Sequence, residues 1–129
     1  MIGYVTLGTN DLPRAATFYD ALFAEIGAGR MMQEEQFIAW EGKDGKASLA
    51  LTRPFDGQPA TVGNGTMVAL EVSSTDDVDR LYNKALELGA TDEGPAGPRS
   101  EWFYAGYFRD PDGNKLNVFC LTGDMQSDN

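Results

Sequence analysis

Apolar and polar positions in the first half of the chain follow two periods, and each period predicts one kind of element. Between residues 15 and 26 the apolar residues recur at helical spacing: Ala15, Phe18, Tyr19, Leu22, Phe23 and Ile26. Such spacing predicts an amphipathic helix, with Asn10 or Asp11 as its N-cap and Gly27 at its end. Alternating or short apolar runs predict strands at residues 4–7, 31–33, 37–41 and 47–52, the last two joined by a turn at 43–46.

The same order of elements starts again near residue 66. A strand is predicted at residues 67–72, and Ser74 or Thr75 is the predicted cap of a second helix that ends at Gly89. The apolar face of this helix consists of Val78, Leu81, Tyr82, Ala85 and Leu86. Because the second half repeats the first, we predict two tandem βαβββ modules, each with one helix covering one face of its sheet.

The length of 129 residues fits one domain with a real core. Within this single domain (1–129) the predicted parts are module one at 1–52, a linker at 53–65, module two at 66–121 and a polar tail at 122–129. The linker is assigned from its prolines and glycines, which mark an irregular connection.

The most specific turn pattern is Asp-Pro-Asp-Gly-Asn at residues 110–114. Proline presets φ in a turn, and glycine accepts a positive φ without steric cost. Because apolar runs flank this segment, it predicts a β-hairpin. In the second strand of the hairpin, Asn117 points to the face opposite Leu116 and Val118. Residues 94–98, Gly-Pro-Ala-Gly-Pro, are predicted to be a loop that leads into the hairpin.

The acidic composition and the missing histidine limit the chemistry. The net charge is −10, from 20 acidic and 10 basic residues, which argues against nucleic acid or an anionic membrane as a partner, since both need a basic surface. The chain contains no histidine and one cysteine. A Ser-His-Asp triad, a Cys-His dyad and metal sites built from imidazole or several thiolates are therefore excluded. We expect no metal and no cofactor.

The sequence also favours a cytoplasmic location. No apolar run approaches the roughly 18 residues of a membrane-spanning helix, and the N-terminus lacks the basic segment and longer apolar stretch of a signal peptide. The lone Cys120 forms no intramolecular disulfide, which fits a reducing compartment. Its apolar neighbours predict a buried, inert thiol.

The face of each sheet that points away from its helix is the candidate binding surface. With Val5 and Leu7 turned toward the helix, alternation assigns the following residues to the cleft face: Tyr4, Thr6, Leu49, Leu51, Met67, Ala69, Asn117 and Phe119. This lining is mostly apolar and suits a small organic ligand that is oriented by one or two hydrogen bonds. The candidate ligand-binding residues are Tyr4, Trp40, Leu49, Leu51, Met67, Trp102, Tyr104, Asn117 and Phe119. Packing in the core or in an interface is the alternative for both tryptophans and Met67.

Two residues are weak candidates for catalysis. Glu71, two residues beyond Ala69, is a candidate lone base, and Tyr4 is the other candidate. A solvated carboxylate at a strand end is the alternative for Glu71, because no second catalytic group accompanies it.

Four short segments and the repeat give the chain a specific resemblance. The segments are Val5-Thr6-Leu7-Gly8, Asn10-Asp11-Leu12, Phe18-Tyr19 and Asp110-Pro111-Asp112-Gly113-Asn114. With the restart near residue 66, they make residues 2–121 resemble the vicinal oxygen chelate superfamily. That superfamily includes glyoxalase I, extradiol dioxygenases, fosfomycin-resistance enzymes and bleomycin-resistance binding proteins. The resemblance implies an α+β fold, in which two βαβββ modules form an open, cup-shaped, eight-stranded mixed sheet with helices outside, and it implies a homodimer.

The chain departs from the metalloenzymes of that superfamily. Those enzymes hold a divalent metal through inward-facing residues on four strands, usually His, Gln or Glu. The matching positions are Tyr4, Leu49, Met67 and Asn117. Tyrosine and a lone amide oxygen are poor ligands for hard dications, leucine is none, and a thioether suits Cu(I). A shift of one residue brings in Thr6, Ser48 or Thr66 instead, again without histidine or carboxylate.

Three functions remain open at this point. The first is metal-free binding of a small apolar or aromatic organic molecule, similar to the bleomycin-resistance proteins. The second is an enzyme, either lactoylglutathione-lyase-like or dioxygenase-like with an atypical site, or a metal-free catalyst that uses Glu71 or Tyr4. The third is a dimeric interaction module with a closed cleft. The apolar lining and the missing metal ligands favour the first.

Overall fold

The structure is a computed structural model that describes residues 1–123. It contains two compact units, unit 1 (Met1–Asn64) and unit 2, which begins at Gly65. The predicted polar tail at 122–129 lies outside the described residues from residue 124 onward. Among the described residues, no helix is long and apolar enough to cross a membrane.

Unit 1 consists of one helix and a four-stranded sheet. Its elements are β1 (Tyr4–Gly8), α1 (Leu12–Ala24), β2 (Gly29–Gln33), β3 (Phe37–Glu41) and β4 (Ser48–Thr52). The strand order is β1-β4-β3-β2, with β1 parallel to β4 and the other pairs antiparallel. The helix begins as predicted, because the Asp11 carboxylate accepts a hydrogen bond from the backbone N–H of Arg14 and so caps it.

Aromatic side chains join α1 to its sheet. The rings of Tyr19 and Phe23 lie against Trp40 of β3; their centroids are 5.6 and 6.1 Å, respectively, from the centroid of the Trp40 ring. Trp40 donates its indole N–H to Asp20 of α1 (2.8 Å), and Arg30 donates to both oxygens of the same carboxylate (3.0 and 2.7 Å). The hydrogen bond from Arg30 is the main cause that holds the pKa of Asp20 below its usual value. Trp40 is therefore a core residue of unit 1.

Residues 53–64 contain neither helix nor strand. The Asn10 side chain donates to the carbonyl oxygen of Ala60 (3.1 Å) and accepts from its N–H (2.7 Å). These two bonds attach the segment to the start of α1. The domain boundaries assigned around it remain a prediction.

Unit 2 repeats the order of elements of unit 1. Its elements are β5 (Val68–Glu71), α2 (Thr75–Glu87), β6 (Thr91–Ser100), β7 (Phe103–Arg109) and β8 (Lys115–Leu121). The strand order is β5-β8-β7-β6, with β5 parallel to β8 and the other pairs antiparallel. Ser74 caps α2 as predicted, accepting from the N–H of Asp77 (3.1 Å). The predicted α+β fold of two βαβββ modules is confirmed, with the strands arranged as two four-stranded mixed sheets.

The prediction of a loop at residues 94–98 is wrong, because these residues lie within β6. This strand lies at the edge of its sheet and pairs with β7 through several register shifts, the first between Asp92 and Gly94. Proline is tolerated in an edge strand, since the missing N–H is not needed by a second neighbour. The φ of Gly94 is +155°, a value that other residues rarely adopt.

A buried carboxylate holds the predicted hairpin turn before β8. Asp110 is 3% exposed, and its Oδ1 accepts from the backbone N–H groups of Asp112 (3.0 Å) and Asn114 (2.9 Å). Its Oδ2 accepts from the side-chain amide of Asn114 (3.0 Å). Gly113 completes the turn with a φ of +94°. The turn fixes where β8 begins, and hence which of its residues point to which face.

We expect Tyr82 of α2 to lower the free energy of unfolding at alkaline pH. Its hydroxyl donates to Asp92 (2.6 Å), and burial, followed by this bond and the charge of Asp92, raises the pKa of Tyr82 to about 12. The fold therefore favours neutral Tyr82, whereas the unfolded chain loses this proton near pH 10. The free energy of unfolding should fall by roughly 2 kcal/mol between about pH 10 and pH 12. Urea unfolding at a series of alkaline pH values measures this fall.

Tyr82→Phe is the control for this pH dependence. The variant should lose most of the fall, although Tyr104, whose pKa is raised first by its hydrogen bond to Asp79, keeps a part of it. An identical fall in the variant and the native protein would contradict the assignment.

Candidate functional site

One face of the unit 2 sheet is left uncovered by α2. Leu116 and Val118 of β8 have no exposed surface. Val118 pairs with Gly106 of β7, where a Cβ would lie only 2.9 Å from the ring of Tyr82 in α2. Because side chains alternate along a strand, Asn117 points away from α2. We call the opposite surface the open face of unit 2; it includes Ala69, Phe103, Tyr107, Lys115, Asn117 and Phe119.

Asn117 lies in the middle of this open face. It pairs with Ala69 of β5 on one side and with Tyr107 of β7 on the other. Its side chain is 1% exposed, and its Oδ1 accepts no hydrogen bond within the described part of the chain. A buried polar group without a partner typically costs about 1–3 kcal/mol. The amide oxygen is therefore an unused acceptor for an N–H or O–H group from outside the chain.

Aromatic rings adjoin Asn117 on the open face. Phe119, next along the same face of β8, stacks on Phe103 of β7 with centroids 5.2 Å apart and an interplanar angle of 24°. Trp102 meets Phe103 edge to face at 6.4 Å and is 44% exposed. Such rings favour a flat apolar ligand, which gains both from burial and from ring geometry.

Two cationic side chains lie beside Tyr107, the cross-strand neighbour of Asn117. The Arg99 guanidinium lies 5.4 Å and the Lys115 ammonium 5.7 Å from the centroid of the Tyr107 ring. Both are within the range of cation–π attraction. Arg99 also donates to the carbonyl oxygens of Gly97 (3.0 Å) and Pro95 (2.6 Å).

The β5 edge of the open face carries Met67 and Glu71. Met67 directly precedes β5 and is 43% exposed. Glu71 pairs with Phe119 and is exposed, so the candidate base lies beside an aromatic ring but in solvent.

Three predicted ligand-binding residues of unit 1 lie on the α1 side of its sheet. Leu49 pairs in register with Val5 and with Trp40, and Leu51 pairs with Leu7. Residues in register on adjacent strands share a face. Leu49, Leu51 and Trp40 are 6%, 0% and 2% exposed. The assignment of Leu49 and Leu51 to the cleft face is wrong, because they lie beside residues already assigned to the helix side.

The alternative position one residue before Leu49, Ser48, agrees better with the strand register of unit 1. Ser48 pairs with Tyr4, so both belong to the face that α1 leaves uncovered. The Ser48 hydroxyl donates to the sulfur of Met31 (2.9 Å), and Tyr4 is 69% exposed. As a candidate catalytic group, Tyr4 therefore stands in solvent rather than in a buried pocket.

Tyr104 was predicted to contact a ligand, but it lies on the α2 side. Its hydroxyl donates to Asp79 of α2 (2.7 Å), and it pairs with Cys120, which is 1% exposed. The alternation along β7 turns its neighbour Phe103 to the open face instead. The thiol of Cys120 is buried as predicted, and burial is the first cause that raises its pKa.

The predicted set lacked Phe103, Tyr107 and Lys115 of the open face. Each follows from the period of two once Asn117 is placed and the hairpin is folded back on itself. Lys115 lies two residues before Asn117, and Tyr107 lies opposite it.

The side chains present do not fit a divalent metal. Within residues 1–123, no group of three or more His, Cys, Asp or Glu side chains is placed to hold an ion. In unit 2 the matching positions are Met67 and Asn117. In unit 1 they are Tyr4 and a residue of β4 on the same face, Ser48 or Ala50, since Leu49 lies on the α1 side. A hard dication prefers several oxygens, most of them from carboxylates. No metal-dependent step can be derived from this set of donors.

A separate groove of about 460 Å³ lies in unit 1. It is lined by Leu12, Pro13, Ala16, Thr17, Arg30, Gln33, Glu34, Glu35, Ile38 and Arg53. None of the predicted site residues belongs to this lining. Its charges are mixed, and Arg30 is already bound to Asp20. The open face of unit 2 is the stronger candidate because its Asn117 oxygen is buried without a donor.

The chain belongs to the Glyoxalase/Bleomycin resistance protein/Dioxygenase superfamily, whose family model matches residues 1–118. The resemblance found in the sequence is thereby confirmed.

Solved structures agree with this membership. A glyoxalase/bleomycin resistance protein from Albidiferax ferrireducens T118 is 33% identical with a TM-score of 0.86, and the match covers 93% of this chain and 98% of that chain. A glyoxalase/bleomycin resistance protein/dioxygenase family enzyme from Burkholderia phytofirmans PsJN is 18% identical (TM-score 0.75; 93% and 98% covered). A lactoylglutathione lyase from Agrobacterium tumefaciens is 22% identical (TM-score 0.70; 93% and 92% covered). The last two support the fold alone. Among curated proteins, none matches the chain.

Proposed function

We propose that this protein binds a small apolar or aromatic organic molecule on the open face of unit 2, without a metal. The observation that carries the proposal is the Asn117 amide oxygen, which is buried and lacks a donor within the described residues. A ligand that supplies an N–H or O–H group would satisfy this acceptor. The site would then resemble most small-molecule sites, which are apolar with a few placed polar groups.

The aromatic residues support the same proposal. The stacked pair of Phe103 and Phe119 offers ring surface beside the amide, and the exposed Trp102 extends it. Ring contacts of this kind contribute about 0.5–1.5 kcal/mol beyond the buried area. The amide would fix the orientation of the ligand, and the rings would supply most of the affinity.

The metal-free part of the proposal rests on the donor chemistry. The chain has no histidine, and the positions that match the family's metal ligands offer no carboxylate. A binding protein similar to the bleomycin-resistance members needs no such ligands. An enzyme that uses Glu71 is the alternative, and its position beside Phe119 favours it over Tyr4 as a base.

The proposal includes a homodimer in the cytoplasm. Seven large apolar side chains are exposed in unit 1: Met1, Ile2, Tyr4, Met31, Met32, Phe55 and Val62. Such exposure supports contact with a second copy, as the family resemblance implies. The single cysteine supports a reducing compartment.

A thermal-shift screen tests the proposal. Tag-free protein in EDTA is screened against aromatic and apolar compounds, and at least one class should raise the Tm, since a ligand that binds the folded state alone stabilises it. Asn117→Leu should abolish the shift. Asn83→Leu, the same change at an exposed position of α2, should retain it.

Two outcomes of the screen would contradict the proposal. The first is a shift that appears only when a divalent metal is supplied. The second is a shift that Asn117→Leu leaves unchanged. Turnover of a bound compound that Glu71→Gln abolishes would establish the enzymatic alternative.

A further inference from the structure

We infer that the ligand is an organic anion with three groups in a fixed order: an aryl ring at one end, an N–H donor in the middle and a carboxylate at the other end. This inference rests on the proposed function and names the chemical class that the same open face would select. It depends on three residues of β8 that follow each other along one face: Lys115, Asn117 and Phe119.

The positive end of the row is Lys115. Neither Lys115 nor the nearby Arg99 forms an ion pair within the described residues, although the whole chain carries a net charge of −10. Both cations lie against the ring of Tyr107. In contrast, Arg109 at the end of β7 is paired with Glu93. The two unpaired cations beside Tyr107 are therefore the charges available to a carboxylate.

The middle of the row is the amide of Asn117. Its free oxygen is an acceptor, so it selects a donor on the ligand rather than a second carboxylate. A carboxylate placed there has no proton to donate and would leave this oxygen without a partner. Placing the charge at Lys115 and a neutral N–H at Asn117 satisfies both groups.

The apolar end of the row is Phe119 with its partner Phe103. Alternate residues on a strand lie about 6.5–7 Å apart. The ligand therefore carries its ring, its donor and its acid in that order, with the acid about one such step beyond the donor. Because the Asn117 oxygen is buried, the group that covers it must move when the ligand binds.

N-benzoyl amino acids provide probes with this order of groups. The series N-benzoylglycine, N-benzoyl-β-alanine, 4-benzamidobutanoate and 5-benzamidopentanoate keeps the ring and the N–H at a fixed spacing and increases the spacing between the N–H and the carboxylate. Isothermal titration is carried out with tag-free protein in EDTA at low salt. For the tightest member, two matched compounds are added: its primary amide, which removes the charge, and its ester-linked analogue, in which oxygen replaces the N–H.

We expect the acid to bind about tenfold more tightly than either matched compound, because each removes one charge-assisted or neutral hydrogen bond. Lys115→Met should weaken the acid about tenfold and leave the primary amide unchanged, and Lys115→Arg should restore binding of the acid. Lys46→Met, a change at an exposed turn of unit 1, should have no effect. Added salt should weaken the acid more than the amide.

Two results would overturn the inference. If the amide binds as tightly as the acid, or if Lys115→Met weakens both equally, the ligand is not selected as an anion, while organic binding at the open face stands. If no member of the series binds although neutral aromatic compounds do, the inferred class of anionic ligand is wrong, while organic binding at the open face again stands. If neither the series nor the broader screen gives binding, the proposed function falls together with this inference.

Discussion

Asp110→Ala is expected to lower the free energy of unfolding by about 3 kcal/mol, the largest loss we expect from a single substitution. The carboxylate is 3% exposed, and its hydrogen bonds include two from backbone N–H groups and one from the Asn114 amide. Alanine would leave these donors without an acceptor, at about 1–3 kcal/mol each before water enters. Because water replaces some of the bonds, the total stays below the simple sum. Urea unfolding at neutral pH measures the loss.

The matching turn of unit 1 supplies the control. Asp44 accepts one bond there, from the N–H of Lys46 (3.1 Å), and it is exposed. Asp44→Ala should therefore cost less than about 1 kcal/mol. Equal losses at Asp44 and Asp110 would mean that the burial of Asp110 contributes nothing, and would contradict its role in fixing the start of β8.

Asn117→Leu is expected to do the opposite and raise the free energy of unfolding by about 1–2 kcal/mol. Leucine has the same branched shape and number of side-chain heavy atoms; it removes a buried polar group that has no partner for its oxygen, and it adds buried apolar surface. Most substitutions in a core destabilise. A gain in stability at this position would therefore indicate that the native residue is kept for another reason than folding.

Asn83→Leu again serves as the control, because Asn83 is exposed on α2. There the change should gain less than about 0.5 kcal/mol, from helix propensity alone. If Asn117→Leu instead destabilised the protein by more than about 1 kcal/mol, Asn117 would have a structural partner, and its oxygen would not be an acceptor available to a ligand.

The order of elements could be predicted from the sequence because local signals agree with the fold. Asp11 and Ser74 cap the two helices as predicted, and both helices bury the apolar face that their spacing indicates. The hairpin before β8 forms for the same reason, since proline and glycine each occupy a position that suits them. β6 could not be predicted, because its prolines and glycines are tolerated only where the strand lies at a sheet edge, which is a property of the sheet.

The candidate site was predicted less well than the fold. Asn117, Phe119 and Trp102 belong to one region of unit 2, but Leu49, Leu51, Trp40 and Tyr104 lie on the helix sides of their sheets. A short strand with apolar residues on both faces has no sequence signal for its orientation, and β4 (Ser48–Thr52) is such a strand. Trp40 is held by a hydrogen bond to Asp20, a contact between residues far apart in sequence.

Metal-free binding at Asn117 is measured by calorimetric titration of the tightest ligand into tag-free protein stripped of metal by EDTA. We predict one ligand per chain, unchanged affinity after EDTA treatment, and loss of binding in Asn117→Leu, which should unfold at a higher urea concentration than the native protein. Binding that returns only when Mn²⁺, Fe²⁺, Co²⁺, Ni²⁺ or Zn²⁺ is added would contradict the account. So would binding that survives Asn117→Leu.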